Sequence, residues 1–310
     1  MLSRRGILGA ALASLLSAGC GVPPAVPGHL DDGQRPAQTR LLSTEVASPT
    51  AAQRAQPVVI TVHGFTATTF ETRLAAERLR KRGALVSELL LGGHGTSLDD
   101  FSKSTWETWQ APLIREYRAL LAKGYESVGF LTTSTGGALL LEALGRGLLT
   151  PAPRQIALVA PLVDLVPANR QLGYAGVMGW FGMAGQAVER PRVTKGNWYH
   201  YRPLPQLTQL LDLTEVLKGR LRKGIVLGAD AKVLVVQARR DPTVDARSAE
   251  LVRLGLKMAD VNVLYLDSSW HIPVWPDGVA DEQTSLEFAN REVALGAIER
   301  HLVPQPQEVE

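Results

Sequence analysis

The sequence predicts an α/β fold with a mainly parallel central sheet, helices on both faces and a cap inserted over one end. Three observations predict it. From Pro57 onward, short apolar runs alternate with longer stretches of helical period, the pattern of strands joined by crossover helices. The run Ser127-Val128-Gly129-Phe130-Leu131 passes through Thr132-Thr133-Ser134-Thr135-Gly136-Gly137 into Ala138-Leu139-Leu140-Leu141-Glu142-Ala143-Leu144, a strand turning sharply into a helix. Two later apolar runs end in polar turns carrying Asp241 and His271, and ligand sites of open α/β sheets gather at such strand ends.

In chain order, Pro57-Val58-Val59-Ile60-Thr61-Val62 is the first strand and Ala84-Leu85-Val86-Ser87-Glu88-Leu89-Leu90-Leu91 the second. The run before Ser134 is the third, and Gln155-Ile156-Ala157-Leu158-Val159-Ala160 the fourth. Lys232-Val233-Leu234-Val235-Val236-Gln237-Ala238 is a buried-type strand that runs into Arg239-Arg240-Asp241, and Val261-Asn262-Val263-Leu264-Tyr265-Leu266 is the last strand. The final helix is predicted from Leu286, Ala289, Val293 and Ala297, whose spacing puts them on one face. Between about residues 165 and 230 the alternation fails. That segment carries Met178, Trp180, Phe181, Met183, Trp198, Tyr199 and Tyr201 among glycines, and reads as the cap. Its aromatics serve either as the cap's own core or as the lining of an apolar pocket; Trp180, Phe181 and Trp198 are the pocket candidates, with Trp270 beside them.

The first twenty residues stand apart. Arg4-Arg5 precede an apolar stretch from Gly6 to Leu16, followed by Ser17-Ala18-Gly19-Cys20, which is the layout of a signal peptide. The stretch is short for a membrane-spanning helix. Cys20, the only cysteine, stands where cleavage by a lipoprotein signal peptidase would leave it as the new amino terminus, so it is the expected lipid-attachment site; a plain secretory signal is the alternative. Ser3-Arg4-Arg5-Gly6-Ile7-Leu8 resembles a twin-arginine export signal. The expectation is an exported lipoprotein, anchored to a bacterial membrane and facing the periplasm or the exterior. Residues 21–56, rich in Pro, Ala, Gln and Thr without sustained periodicity, read as a flexible tether, residues 57–303 as the α/β domain with its cap and residues 304–310 as a tail.

Ser134 at the strand-to-helix turn has the setting of a nucleophile elbow. A serine hydroxyl is a poor nucleophile at neutral pH unless an imidazole accepts its proton, and the imidazole must be oriented by a carboxylate. His271, on the loop after the last strand, is the candidate base. Asp241, right after the penultimate strand, is the preferred acid, with Asp164 its rival and Asp245 a weaker one. The charge of a tetrahedral intermediate also needs backbone N–H donors. The turn His63-Gly64-Phe65-Thr66 supplies one from Phe65, and Thr135, the residue after the nucleophile, supplies the other. His63 and His94 read as loop-holding residues.

The segments His63-Gly64-Phe65-Thr66, Gly93-His94-Gly95-Thr96, Ser134-Thr135-Gly136-Gly137, Val236-Gln237-Ala238-Arg239-Arg240-Asp241 and Ser269-Trp270-His271-Ile272 resemble bacterial carboxylesterases of the monoacylglycerol-lipase group, in the α/β-hydrolase superfamily. The order Ser, Asp, His is that superfamily's order. The resemblance covers about residues 57 to 303 and implies a nucleophile at Ser134, an acid at Asp241, a base at His271 and oxyanion donors at Phe65 and Thr135. It also implies hydrolysis of short-to-medium acyl esters or monoacylglycerols, with no metal or organic cofactor. The chain departs from the Gly-x-Ser-x-Gly pattern in one respect, a β-branched Thr132 two residues before the nucleophile.

Composition narrows the remaining classes. With 310 residues, 45% hydrophobic and 20% charged, the chain suits a large globular core. The formal charge of +3 comes from scattered Lys and Arg not interleaved with aromatics, which gives nucleic-acid binding little support. The six histidines are scattered and no metal-ligand spacing occurs. Besides an esterase, two readings stand: a weakly active or non-catalytic binding protein whose elbow is misaligned by Thr132, and an acyltransferase using the same triad.

Overall fold

The computed structural model describes residues 39–167, 185–280 and 283–304. The expectations for residues 1–38, Cys20 among them, and for Trp180 and Phe181 lie outside the described residues. In chain order the strands are β1 (Val58–Val62), β2 (Leu85–Leu89), β3 (Val128–Thr133), β4 (Gln155–Val159), β5 (Gly185–Ala187), β6 (Tyr201–Pro203), β7 (Ile225–Val226), β8 (Lys232–Ala238), β9 (Leu256–Lys257) and β10 (Asp260–Leu266). The helices are α1 (Leu42–Glu45), α2 (Ala51–Ala55), α3 (Arg73–Lys81), α4 (Leu98–Ser102), α5 (Trp106–Ala122), α6 (Thr135–Gly145), α7 (Leu204–Lys223), α8 (Arg247–Gly255) and α9 (Ser285–Leu302).

Six strands form one sheet in the order β10-β8-β4-β3-β1-β2, every neighbour parallel. The central strand β1 is covered on both faces, so it is buried along its whole length and reads as a continuous apolar run with one threonine. Alternate residues serve opposite cores: Val58, Ile60 and Val62 join a cluster with Trp109 and Leu113 of α5, and Val59 joins one with Leu79 of α3 and Ile298 of α9. The predicted helices on both faces follow from this alternation. Strand order reverses direction between β1 and β3, and the register that pairs Val62 with Thr132 brings the two strands' carboxyl ends level. A crevice opens there.

Three expectations change. Residues 39–56 of the predicted tether are built onto the domain: Arg40 and Glu88 exchange backbone hydrogen bonds at the β2 edge, Leu42 is buried, and Thr50 with Gln53 forms a capping box on α2. Ser43 donates through its N–H to Glu116 Oε1 at 3.1 Å. Composition could not show this, because the tie is made by residues far away in the chain.

The predicted insertion also divides. The β5–β6 hairpin lies beside the crevice, whereas α7 places Leu213, Leu217 and Leu221 in the principal core, one turn apart on a single face. The last helix exists, but it docks by a different stripe. Leu286 and Val293 are about half exposed, while Ala294, Leu295, Ile298 and Leu302 are buried. Two apolar stripes share α9, and the one with adjacent large residues covers more of the sheet.

Candidate active site

Ser134 occupies the turn from β3 to α6 with φ 47° and ψ −114°, a conformation L-residues rarely adopt and one that costs on the order of 1–3 kcal/mol. The surroundings enforce it. Ser134 N–H donates to Val159 O at 2.9 Å, and its carbonyl accepts from Leu162 N–H at 3.1 Å. A Cβ on Gly136 would lie 2.7 Å from the His63 carbonyl oxygen, so only glycine lets α6 start this close to β1.

Asp241 and His271 converge on that serine. The Asp241 carboxylate is fully buried and accepts N–H bonds from Thr243 at 2.8 Å and Val244 at 3.0 Å. His271 Nδ1 lies 2.8 Å from Asp241 Oδ2, and its Nε2 lies 3.0 Å from Ser134 Oγ. With Nδ1 donating to the carboxylate, Nε2 is the acceptor for the serine hydroxyl. Asp164 pairs instead with Lys218 at 3.1 Å, and Asp245 with Arg247 at 2.9 Å. The geometry therefore brings together the three residues first chosen and leaves both rivals aside.

Thr132 does not displace the serine. Its side chain is buried and contacts the space that a Cβ on Gly137 would fill, 3.2 Å from the Thr132 Oγ1. The missing glycine of the strand is matched by a glycine of the helix. Thr132→Gly should leave ester turnover within about threefold of the parent and lower stability by about 1 kcal/mol, or roughly 2–4 °C in melting temperature. A tenfold gain in rate would show instead that the threonine strains the turn.

The loop after β1 is held from two sides. Phe65 and Thr135 both line the cleft beside Ser134, and Thr135 is the first residue of α6, so its N–H has no partner one turn earlier. His63 donates from Nδ1 to Gly64 O at 2.9 Å and accepts Leu91 N–H at Nε2 at 3.0 Å, while His94 Nε2 accepts Thr66 N–H at 3.3 Å. Burial, opposed by the Gly64 carbonyl, lowers the His63 pKa from 6.5 to about 4; burial, then the neighbouring His63, lowers that of His94 well below 6.5. Both are neutral structural histidines.

A folded value below the unfolded one means that His63 contributes stability in full above pH 6.5 and loses it as the pH falls through 4. The loss amounts to about 3 kcal/mol. Urea unfolding at pH 7 and pH 4.5 checks this: His63→Gln should lose distinctly less stability on acidification than the parent, and an equal loss would rule out the contribution.

Two buried carboxylates were missed in the sequence. Glu71 accepts Gly64 N–H at 2.6 Å and the Thr133 hydroxyl, tying the β1 loop to the strand that carries Ser134. Glu287 accepts the Ser269 N–H at 2.7 Å and its hydroxyl at 2.8 Å, fixing the loop that carries His271. Each is the fourth residue of a Thr-x-x-Glu run, from Thr68 and from Thr284, a spacing that reads as a helix-capping box. The carboxylates turn instead to the site loops.

The cleft above Ser134 has a volume of about 620 Å³. Trp198, Trp270, Trp275, Leu162, Leu207 and Val279 line it. Among the described residues no group of three or more His, Cys, Asp or Glu side chains is placed to hold a metal ion.

No protein-family model matches the chain. A carboxylesterase from Bacillus subtilis (strain 168) is 23% identical over 221 residues, covering 69% of this chain and 84% of that protein. A thermostable monoacylglycerol lipase from Bacillus sp. (strain H-257) is 27% identical over 230 residues, covering 73% and 87%. Among solved structures, one reported for the metagenome-derived lipolytic enzymes LipS and LipT superposes with a TM-score of 0.63 at 21% identity, over 80% of this chain and 96% of that one. The six-stranded parallel sheet and the likeness to the lipolytic-enzyme structure give this chain the α/β-hydrolase fold, and Ser134, Asp241 and His271 stand at the ends of its strands in that order. Its sequence relatives lie in the carboxylesterase and monoacylglycerol lipase group.

Proposed function

We propose that the protein hydrolyses carboxylic esters through an acyl-enzyme on Ser134. Ser134 Oγ attacks the ester carbonyl carbon while His271 Nε2 takes its proton, and Asp241 holds the imidazole and balances the charge that forms on it. The N–H groups of Phe65 and Thr135 meet the carbonyl oxygen as it becomes an oxyanion. Collapse expels the alcohol, protonated by His271. Water then attacks the acyl carbon with His271 again as base, and the acid leaves. The observation that carries this reading is the unbroken relay from Asp241 Oδ2 to His271 and from His271 to Ser134 Oγ, at 2.8 Å and 3.0 Å.

The finer reading is a short-to-medium acyl ester or a monoacylglycerol as substrate, with Trp198 and Trp270 on the apolar wall of the cleft. The apolar lining and the names of the sequence relatives support it. A fluorophosphonate probe tests the reaction: mass mapping should find the adduct on Ser134, and labelling elsewhere, or none on folded protein, would reject it.

The chain is further proposed to be an exported lipoprotein anchored through Cys20, on the layout of residues 1–20. No helix among the described residues is long and apolar enough to cross a membrane. Membrane fractionation should find the parent with the membranes and Cys20→Ser, carried by a replaced secretion signal, in the soluble fraction; an unmodified soluble mature parent would refute the anchor.

A further inference from the structure

Arg202 is a cleft-lining charge whose setting the reaction does not explain. It lies on β6, directly across the hairpin from Gln186 of β5, and both residues line the cleft that contains Ser134 and His271. Its neighbour Tyr201 packs into the principal core, so the alternation of the strand sends Arg202 the other way. The Arg202 Nε is buried without a hydrogen-bond partner, and Nη1 makes only a long 3.5 Å bond to Gln186 Oε1. No ion pair with a described carboxylate is formed. Desolvation lowers its pKa, yet a guanidinium remains charged at neutral pH.

Buried carboxylates in this protein are treated differently. Glu142, for example, meets Arg220 at 3.0 Å and Gln110 at 2.7 Å. Around the cleft, Glu71 is engaged by Gly64 and Thr133, and Arg190 lies over the Trp198 ring at 5.7 Å. Arg202 thus lines the cleft as a largely desolvated cation with no ion partner among the described residues. A charge in that position is unfavourable until an anion meets it, and a guanidinium offers carboxylate or phosphate two parallel N–H bonds.

We infer that Arg202 forms an anion subsite of the cleft, and that the substrate class is esters carrying a carboxylate or phosphate group away from the scissile bond. This inference rests on the ester-hydrolase reading of the same site. The anion can belong to the acyl half or to the alcohol half, and matched pairs of esters separate the two sources. The acyl arm compares the mono-p-nitrophenyl ester of succinic acid with p-nitrophenyl butyrate. The alcohol arm compares butyrylglycerol phosphate with monobutyrylglycerol.

In one arm the anionic ester should show at least a tenfold higher kcat/KM than its neutral partner. Arg202→Gln should remove that preference, leaving the neutral ester within about twofold, and Arg202→Lys should retain part of it. Equal rates in both arms, or a preference that survives Arg202→Gln in a variant melting like the parent, would overturn the subsite while leaving ester hydrolysis standing. Calorimetric binding to Ser134→Ala gives a readout independent of turnover. The anionic esters should bind at least tenfold more tightly than the neutral ones, and Ser134→Ala with Arg202→Gln should lose the difference. If no ester is turned over, the hydrolase reading fails and the binding result alone decides the subsite.

Discussion

Ser134→Ala and His271→Ala are each expected to lower kcat on a p-nitrophenyl ester by at least about a thousandfold, with little change in KM. The magnitude follows from the roles. Without Oγ no acyl-enzyme forms, and without the imidazole the hydroxyl keeps its proton and the leaving alcohol receives none. The two losses should not add in the double variant, because both groups serve the same steps. Residual rate is expected from the N–H donors and binding alone. Circular dichroism and melting temperature should show both variants folded, since Ser134→Ala removes one hydroxyl and His271 lies on a loop that Glu287 holds independently. Retained turnover in either variant would reject the assignment.

Asp241→Asn is expected to lower kcat by a comparable factor, on the order of a thousandfold or more, since an amide can present its NH₂ to Nδ1 and favour the wrong tautomer. Asp164→Asn is the control. It removes an ion pair to Lys218 on a partly exposed pair of side chains, worth at most about 1 kcal/mol, and should leave turnover within about twofold. The contrast is informative because both aspartates follow sheet strands in the sequence. A large loss confined to Asp164→Asn would reverse the assignment. Asp241 Oδ1 also accepts the Thr243 and Val244 N–H groups, and an uncharged amide oxygen accepts more weakly than a carboxylate, so the Asn variant should be less stable than the parent by about 1–3 kcal/mol.

The weight of the site rests on loops that strands deliver and buried carboxylates restrain. Glu71 touches the β1 loop and the elbow strand together, and Trp275 Nε1 adds a weak 3.4 Å contact to it from beyond His271. One acid therefore links the donor loop, the nucleophile's strand and the segment after the base. Glu287 does the same for the histidine loop from the first turn of α9. Neither residue reacts with substrate in the proposed sequence of steps. Their part is to keep the reacting groups within hydrogen-bond reach before substrate arrives.

Local sequence by itself determined the six-stranded frame, because apolar runs of strand length and the small residues around Ser134 have few other physical uses. It also determined the order of Ser134, Asp241 and His271, each fixed to the end of a predicted strand. Which apolar stripe of α9 is buried, which residues of the insertion join the core, and that residues 39–56 fold back onto the β2 edge were decided only by the tertiary structure. Each is a choice among segments of similar local pattern, settled by surface contributed from far along the chain. The same holds for Glu71, Glu287 and Arg202. A carboxylate in a Thr-x-x-Glu run looks like a helix cap until the loop it holds is brought beside it, and an arginine between Tyr201 and Pro203 looks like surface until the hairpin turns it toward the cleft. Pattern along the chain reports what a segment can bury, whereas the partner it meets is set by the packing of the whole.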